Sequence, residues 1–365
     1  MERVLVVFRN AMNRGGAETF IMKIYRKLDK TKFQMDFCVG SKEKGFFDDE
    51  IESYGGKIYY VIPKSHNLIK HFIELKKLVN EEQYKKVINV ATHSLSALDL
   101  LAAKIGGAKK MMMRATNTNT IGKKNQIMHY CFRWMANRTA DVKFAPSTEA
   151  AEYTFGKRQV EKGKVHILNN GIPIEKFLFS EEKRLLKRKE LGLEDNFVVG
   201  HVGRFMTQKN HMYLLDIFKS IKNRIPNAVL VLVGDGELRK SVEKRAKELE
   251  IEEAVRFLGV RADVPELFMA MDIKIFPSFF EGMPNTVIEA QGTGLPCIIS
   301  DTITREADIT GLVTYMSIED SPEEWAEKCV DIKKQYRQRK NTREDFVKAQ
   351  YDIDSVVKNF MELVF

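Results

Sequence analysis

Two glutamates, Glu281 and Glu289, stand with seven residues between them in FFEGMPNTVIEAQGTGLP, residues 279–296. Ionised carboxylates accept short, strong hydrogen bonds, so they suit the paired hydroxyls of a ribose or a hexose. Pro284 and Asn285 mark the entry to a helix, with Asn285 the expected cap, and Gly294-Leu-Pro marks its exit. Glu289 then lies about one turn into that helix, while Glu281 stays in the loop before it and faces whatever fills the site. An amphipathic surface helix would explain Glu289 alone. It would not explain Glu281, the aromatic pair before it and the Gly-Met-Pro turn together.

A second group carries the opposite charge. In GRFMTQKNHMYLL, residues 203–215, a strand ends at Gly203, and Arg204 and Lys209 sit in the loop before a helix that starts near His211. Two cations beside the positive end of a helix make a clamp for a diphosphate; solvated surface charge is the plainer reading. NRGGAETF, residues 13–20, gives the first strand a glycine-rich exit, where Gly15 and Gly16 let a ligand approach the backbone amides. A plain tight turn accounts for it equally well. GDGELRKS, opening at Gly234, has G-x-G without a third glycine, which argues against a dinucleotide-dependent dehydrogenase.

These loops need strands to hold them. VLVVF, FQMDFCVG, KIYYVI, KKVINVAT, KKMMMRAT and DVKFAPS alternate with helical patterns in the first half, and NFVVGHVG, AVLVLVG, VRFLG, IKIFPS and PCIISD repeat the scheme in the second. Such alternation predicts an α/β protein with two doubly wound parallel sheets, whose ligands bind at the carboxyl ends of the strands. VHILNNGIPIEKF, with its Asn-Gly turn and Ile-Pro dipeptide, reads as the linker, with the hinge near Gly171. REDFVKAQYDIDSVVKNFMELVF reads as a terminal helix.

Composition sets the outer limits. The chain has 365 residues, 44% hydrophobic and 30% charged, enough for two ordinary domains and too apolar for disorder. No apolar run reaches the roughly 18 residues of a membrane span, and MERVLVVF reads as a strand rather than a signal peptide, so a cytoplasmic chain is expected. Cys38, Cys131, Cys297 and Cys329 form no CxxC pair, and buried or inert thiols are expected, with no metal site. Residues 1–165 carry about 30 Lys and Arg against about 17 Asp and Glu, so the whole +9 excess lies there. Those lysines are mixed with Phe, Ile, Met, Tyr and Trp, a composition that suits anionic lipid headgroups or a lipid diphosphate. Nucleic acid is not expected, because no binding motif accompanies the charge.

The segment EGMPNTVIE resembles the E-x7-E signature of the retaining nucleotide-sugar glycosyltransferases of family 4, which have the GT-B fold. GGAE, APSTEAAEYTFG, NNGI-x-x-x-x-F, VGR…KN, VLVGDGE and TGLPCIISD agree with it, so the resemblance runs from Val4 to the C-terminal helix. ISDTITREADITGLV followed by SPEEWAEK is most similar to the subgroup that builds capsular and extracellular polysaccharides. The resemblance implies two Rossmann-like domains facing across a cleft. An acceptor-binding domain would span residues 1–170 and a donor-binding domain residues 171–342, with a helix at 343–365 packing back on the first. It also implies a nucleotide-sugar donor, with a UDP-sugar the first expectation, a lipid-linked or saccharide acceptor, and neither cofactor nor metal; the basic and aromatic mixture of the first half adds the expectation of work at the inner face of an anionic membrane.

Carried over residue by residue, Arg204 and Lys209 would bind the donor diphosphate, Glu281 the donor hexose and Glu289 the ribose. Backbone amides from Gly282 through Met283 and Asn285 to Thr286 would face sugar and phosphates, those near Gly259 and Val260 the base, and the Gly15–Gly16, Gly203 and Gly234 turns would line the site. The chain departs from the family in one place. Many relatives have a histidine at the end of the fifth strand, where MMMRATNTNT puts Arg114 and Asn117. These two, or else His93 at the end of VINVATH, would supply that polar contact. A nucleotide-sugar epimerase shares the architecture, and a non-enzymatic basic protein of the membrane surface would explain the charge alone.

Overall fold

The computed structural model describes residues 1–116, 123–336 and 338–365, with the side chains of 123–125 excepted. The expected site residue Asn117 thus lies outside the described residues. The chain divides into two units, Met1–Gly171 with Ile353–Phe365, and Ile172–Asp352.

The first unit is built on β1 (Glu2–Phe8), β2 (Phe33–Val39), β3 (Ile58–Tyr60), β4 (Lys86–Ala91), β5 (Lys110–Ala115), β6 (Val142–Ala145) and β7 (His166–Ile167), in the spatial order β3-β2-β1-β4-β5-β6-β7. The second has β8 (Phe197–Val202), β9 (Ala228–Val233), β10 (Val255–Gly259), β11 (Ile273–Phe276), β12 (Cys297–Ser300) and β13 (Val313–Met316), in the order β10-β9-β8-β11-β12-β13. Every neighbouring pair is parallel. Both sheets therefore reverse direction of growth once, between β1 and β4 and between β8 and β11, and such switch points are where α/β sheets bind ligands. Strands covered on both faces need apolar side chains throughout, and all six residues of β9, AVLVLV, are buried.

Helices pack on these sheets by one face. Gly16–Lys27 buries Phe20, Ile21, Ile24 and Tyr25. Asn67, Ser147, Ser180 and Ser321 cap other helices with their side chains, the last in a reciprocal capping box with Glu324.

Two features differ from expectation. β13, VTYM, is absent from the strands that the sequence pattern predicts, because all four of its residues are half-buried at the sheet edge and carry no strong period. The terminal segment is two helices, Arg343–Lys348 and Ile353–Val364, separated by Gln350 in the left-handed region at φ 56°. Phe346 enters the core of the second unit, while Val356, Phe360 and Val364 enter that of the first. Only residues 353–365 thus belong with the first unit, rather than 343–365. Cys38, Cys297 and Cys329 are buried, with thiol pKa values pushed up chiefly by burial, and Cys131 is exposed. Among the described residues no helix is long and apolar enough to cross a membrane.

Candidate active site

In the second unit the exits of β8 and β9 pack backbone to backbone. A Cβ on Gly234, at φ 132°, would lie 2.1 Å from the Gly203 carbonyl oxygen, so only glycine fits that close approach. The chain then runs through Arg204 into the turn Thr207–Lys209 and the helix His211–Arg224. Arg204 is exposed, with no ion pair among the described residues. Lys209 is mostly covered, and its Nζ donates to Glu281 Oε1 at 2.5 Å. Two further bonds lace the turn to the loop after β11: the Phe279 amide donates to the Gln208 carbonyl at 2.9 Å, and Gln208 Nε2 donates to the Phe280 carbonyl at 2.8 Å. Glu281 and Lys209, far apart in sequence, thus form one partly buried ion pair.

The helix carrying the second glutamate begins at Asn285 and ends at Gly292. Asn285 is not its cap: Pro284 takes that position and no side chain accepts from the first amides. The helix His211–Arg224 also lacks a side-chain cap. Uncapped amides and the positive end of the helix dipole can hold an anion. Glu289 is half-buried on the Asn285–Gly292 helix, Val260 is 71% exposed after β10, and Gly259 makes its turn at φ 67°.

Beneath these loops lies a layer that the sequence reading missed. Lys274, in the middle of β11, is wholly buried, and its Nζ stands 5.1 Å from the Phe268 ring centre and 4.9 Å from that of Phe276. Its polar neighbour is Thr286 Oγ1 at 3.4 Å. Lys209 Nζ stands 4.8 Å from the same Phe276 ring. His201 stacks on Phe276 and meets His211 edge-on, and His211 stacks on Phe205. Burial lowers both imidazole pKa values, that of His211 to about 4, so both are neutral at pH 7 and the positive charge above them belongs to Arg204 and Lys209. The available signal was a charged residue interrupting the buried run DIKIF.

The first unit gives a different arrangement. Gly15 precedes the helix Gly16–Lys27 without a side-chain cap, but Glu18 folds back over it: a Cβ on Gly15 would meet Glu18 Oε2 at 2.1 Å. The chain's own carboxylate, its pKa raised by burial, therefore stands at this helix start, while Gly16 faces open space. Arg114 does not offer the expected polar contact. It is 1% exposed, its guanidinium lies 3.9 Å from the centre of the Phe20 ring, and it donates to Asn170 Oδ1 at 2.6 Å. Burial without an acid partner lowers its pKa to about 9. His93 caps the turn Ser94–Ser96, its Nδ1 accepting from the Leu95 amide at 3.1 Å. It also lines a cavity of about 560 Å³, together with Arg9, Asn10, Lys64, Ser65 and Met128. Among the described residues no cluster of His, Cys, Asp and Glu could hold a metal ion.

Comparison with known proteins identifies the family. The sequence model of Glycosyltransferase Family 4 matches residues 14–176, and that of Glycosyl transferases group 1 matches residues 196–335. The chain is 34% identical over 332 residues to the Bacillus subtilis (strain 168) protein named glycosyltransferase EpsF, covering 89% of this chain and 86% of that one. The chain belongs to the family 4 glycosyltransferases. Another member, the UDP-Gal:alpha-D-GlcNAc-diphosphoundecaprenol alpha-1,3-galactosyltransferase of Escherichia coli, is 30% identical over 280 residues, 73% of this chain and 72% of that one. Anabaena HepE, crystallised with UDP, matches with a TM-score of 0.79 over 99% of both chains at 18% identity, which shows the GT-B fold. The family 4 chain is a retaining-family hexosyltransferase that uses a nucleotide sugar.

Proposed function

We propose that the chain moves a hexose, with retention, from a UDP-sugar to a lipid-diphosphate-linked saccharide in the assembly of a capsular or extracellular polysaccharide. The observation that carries this reading is the Lys209–Glu281 pair, 2.5 Å apart and next in sequence to the uncapped helix Asn285–Gly292. It sets a cation for phosphate and a carboxylate for sugar hydroxyls side by side. The second unit holds the donor: Arg204, Lys209 and the helix amides take the diphosphate, Glu289 the ribose and Glu281 the hexose. As the bond from the anomeric carbon to the diphosphate oxygen breaks, negative charge builds on that oxygen, and the two cations and the helix end stabilise it. The same oxygen then receives the acceptor hydroxyl's proton, while the acceptor oxygen bonds to the anomeric carbon on the face the diphosphate left. UDP departs.

The first unit takes the acceptor. Its cavity is lined by Arg9, Lys64 and His93, groups suited to a diphosphate, and by apolar Leu68 and Met128. Ile127, Tyr130, Cys131 and Trp134 form an exposed stripe at helical spacing on Lys123–Thr139, and Leu68, Ile69 and Ile73 are exposed on Leu68–Glu81 beside Lys70, Lys76 and Lys77. Amphipathic faces of this kind lie on anionic membrane surfaces. The E. coli relative's name specifies a diphosphoundecaprenol acceptor, which supports a lipid-linked substrate here. The test is UDP release from a panel of UDP-sugars with and without a synthetic lipid-diphosphate GlcNAc acceptor. Release that depends on the acceptor is expected. Conversion of the UDP-sugar to an isomer without acceptor would replace transfer by epimerisation.

A further inference from the structure

Lys274 has no place in the roles assigned above. It sits on β11, whose carboxyl end leads into the loop of Glu281, and it is 0% exposed. A buried ammonium normally has a carboxylate at hydrogen-bond distance. The polar contact found for Lys274 is a neutral hydroxyl, Thr286 Oγ1 at 3.4 Å, in the first turn of the helix Asn285–Gly292. Two phenylalanine rings flank the amine and offer only their π faces.

We infer that Lys274 is a positioning residue for the donor diphosphate, taking up a proton as the diphosphate arrives and adding a positive charge beneath the loops of Arg204 and Lys209. The inference rests on the reading of those loops as the diphosphate site. The balance of charges around the amine explains why its own charge is conditional. Its pKa is lowered to about 7, chiefly by burial and also by Lys209 from the Thr207–Lys209 turn, against the opposing influence of Cys297 from β12, Glu289 from the Asn285 helix and Glu281 from the loop. His201 from β8, itself neutral, feels the same charge. A diphosphate held by Lys209, which shares the Phe276 ring with Lys274, brings negative charge near this balance and shifts it towards the ammonium.

The sign follows from linkage. A group whose pKa is higher in the complex makes binding tighter below its free value, and that advantage is lost as pH rises through the bound value. If binding raises the Lys274 pKa from about 7 to about 8, roughly half a proton is taken up per nucleotide at pH 7.5. The UDP phosphate, with a second pKa of about 6, is already ionised there and contributes little.

The experiment is calorimetric titration of UDP at pH 7.5 in buffers of different ionisation enthalpy, with wild type and Lys274→Met. Wild type should take up about half a proton. Lys274→Met should take up none and bind UDP about threefold more weakly, with KM for the donor raised and kcat little changed. Its melting temperature should equal or exceed that of wild type, because a thioether of similar length replaces an amine without an acid partner. Gain of stability with loss of affinity is a pair of signs that a packing role does not produce. Identical proton uptake and affinity in the two proteins would overturn the inference and leave the donor site standing. Failure of the wild type to bind UDP, GDP or ADP would overturn both.

Discussion

In the second unit, three hydrogen bonds tie the turn Thr207–Lys209 to the segment Phe279–Glu281, and two strand exits touch through glycine backbone. In the first unit the exits of β1 and β4 surround an open cavity, and a glutamate from the chain itself stands at the first helix. The two sheets share one strand order over six strands, so the difference lies in the loops. One set is preorganised, as a site must be if it stabilises charge that develops during reaction. The other is roomy and flanked by exposed apolar side chains, as the proposed lipid-linked acceptor requires.

The comparison breaks if the preorganised loops can be altered without effect. Lys209→Ala and Arg204→Ala should each lower kcat by roughly 10²–10³-fold, the loss seen when one preorganised stabilising group is removed. Activity within twofold of wild type in both would take them out of the site. Lys209→Ala also leaves Glu281 mostly covered and without its ion-pair partner, so it should melt lower, whereas exposed Arg204→Ala should not.

Separating the two carboxylates sharpens the picture within the donor loops. Glu289→Gln should raise the donor KM and UDP Kd roughly tenfold, because a ribose is held alike before and during transfer. Glu281→Gln should lower kcat and leave UDP affinity near wild type, since the hexose gains positive charge only as the diphosphate departs. Calorimetry with UDP beside steady-state kinetics reads both, and the opposite pattern would exchange the two roles.

The smallest effect belongs to the first unit. Trp134→Ser together with Tyr130→Ser should weaken sedimentation with anionic vesicles about fivefold while leaving UDP affinity untouched. Wild-type binding should also fade as salt rises, since exposed charges are screened over about 8 Å at physiological ionic strength. Equal binding to neutral vesicles at all salt concentrations would separate the stripe from any anionic surface.

What could be read from the sequence divides along physical lines. Strands such as β8 and β9 are buried on both faces, so their apolar runs name them without ambiguity. β13 escapes because an edge strand with half-buried residues carries no such run. The break at Gln350 depends on one left-handed backbone conformation that glutamine does not advertise. In the site, the residue types and the glutamate spacing were legible, but the contact between Lys209 and Glu281 is tertiary, and so is the removal of Arg114 from solvent by Phe20. Local pattern reports what a side chain can do, while burial, which decides whether it meets a ligand, is set by distant segments.

The division of the first unit into residues 1–171 and 353–365 bears on how the protein emerges from the ribosome. Val356, Phe360 and Val364 fill positions in a core whose other members include Val4, Val6 and Phe8. Val356, Phe360 and Val364 are made only after all of Ile172–Asp352, so at roughly 5–20 residues per second the first unit waits on the order of ten seconds or more for this helix. During that interval the second unit has its full sequence and the first does not. Until then the apolar side chains of that core which Val356, Phe360 and Val364 cover are left without them.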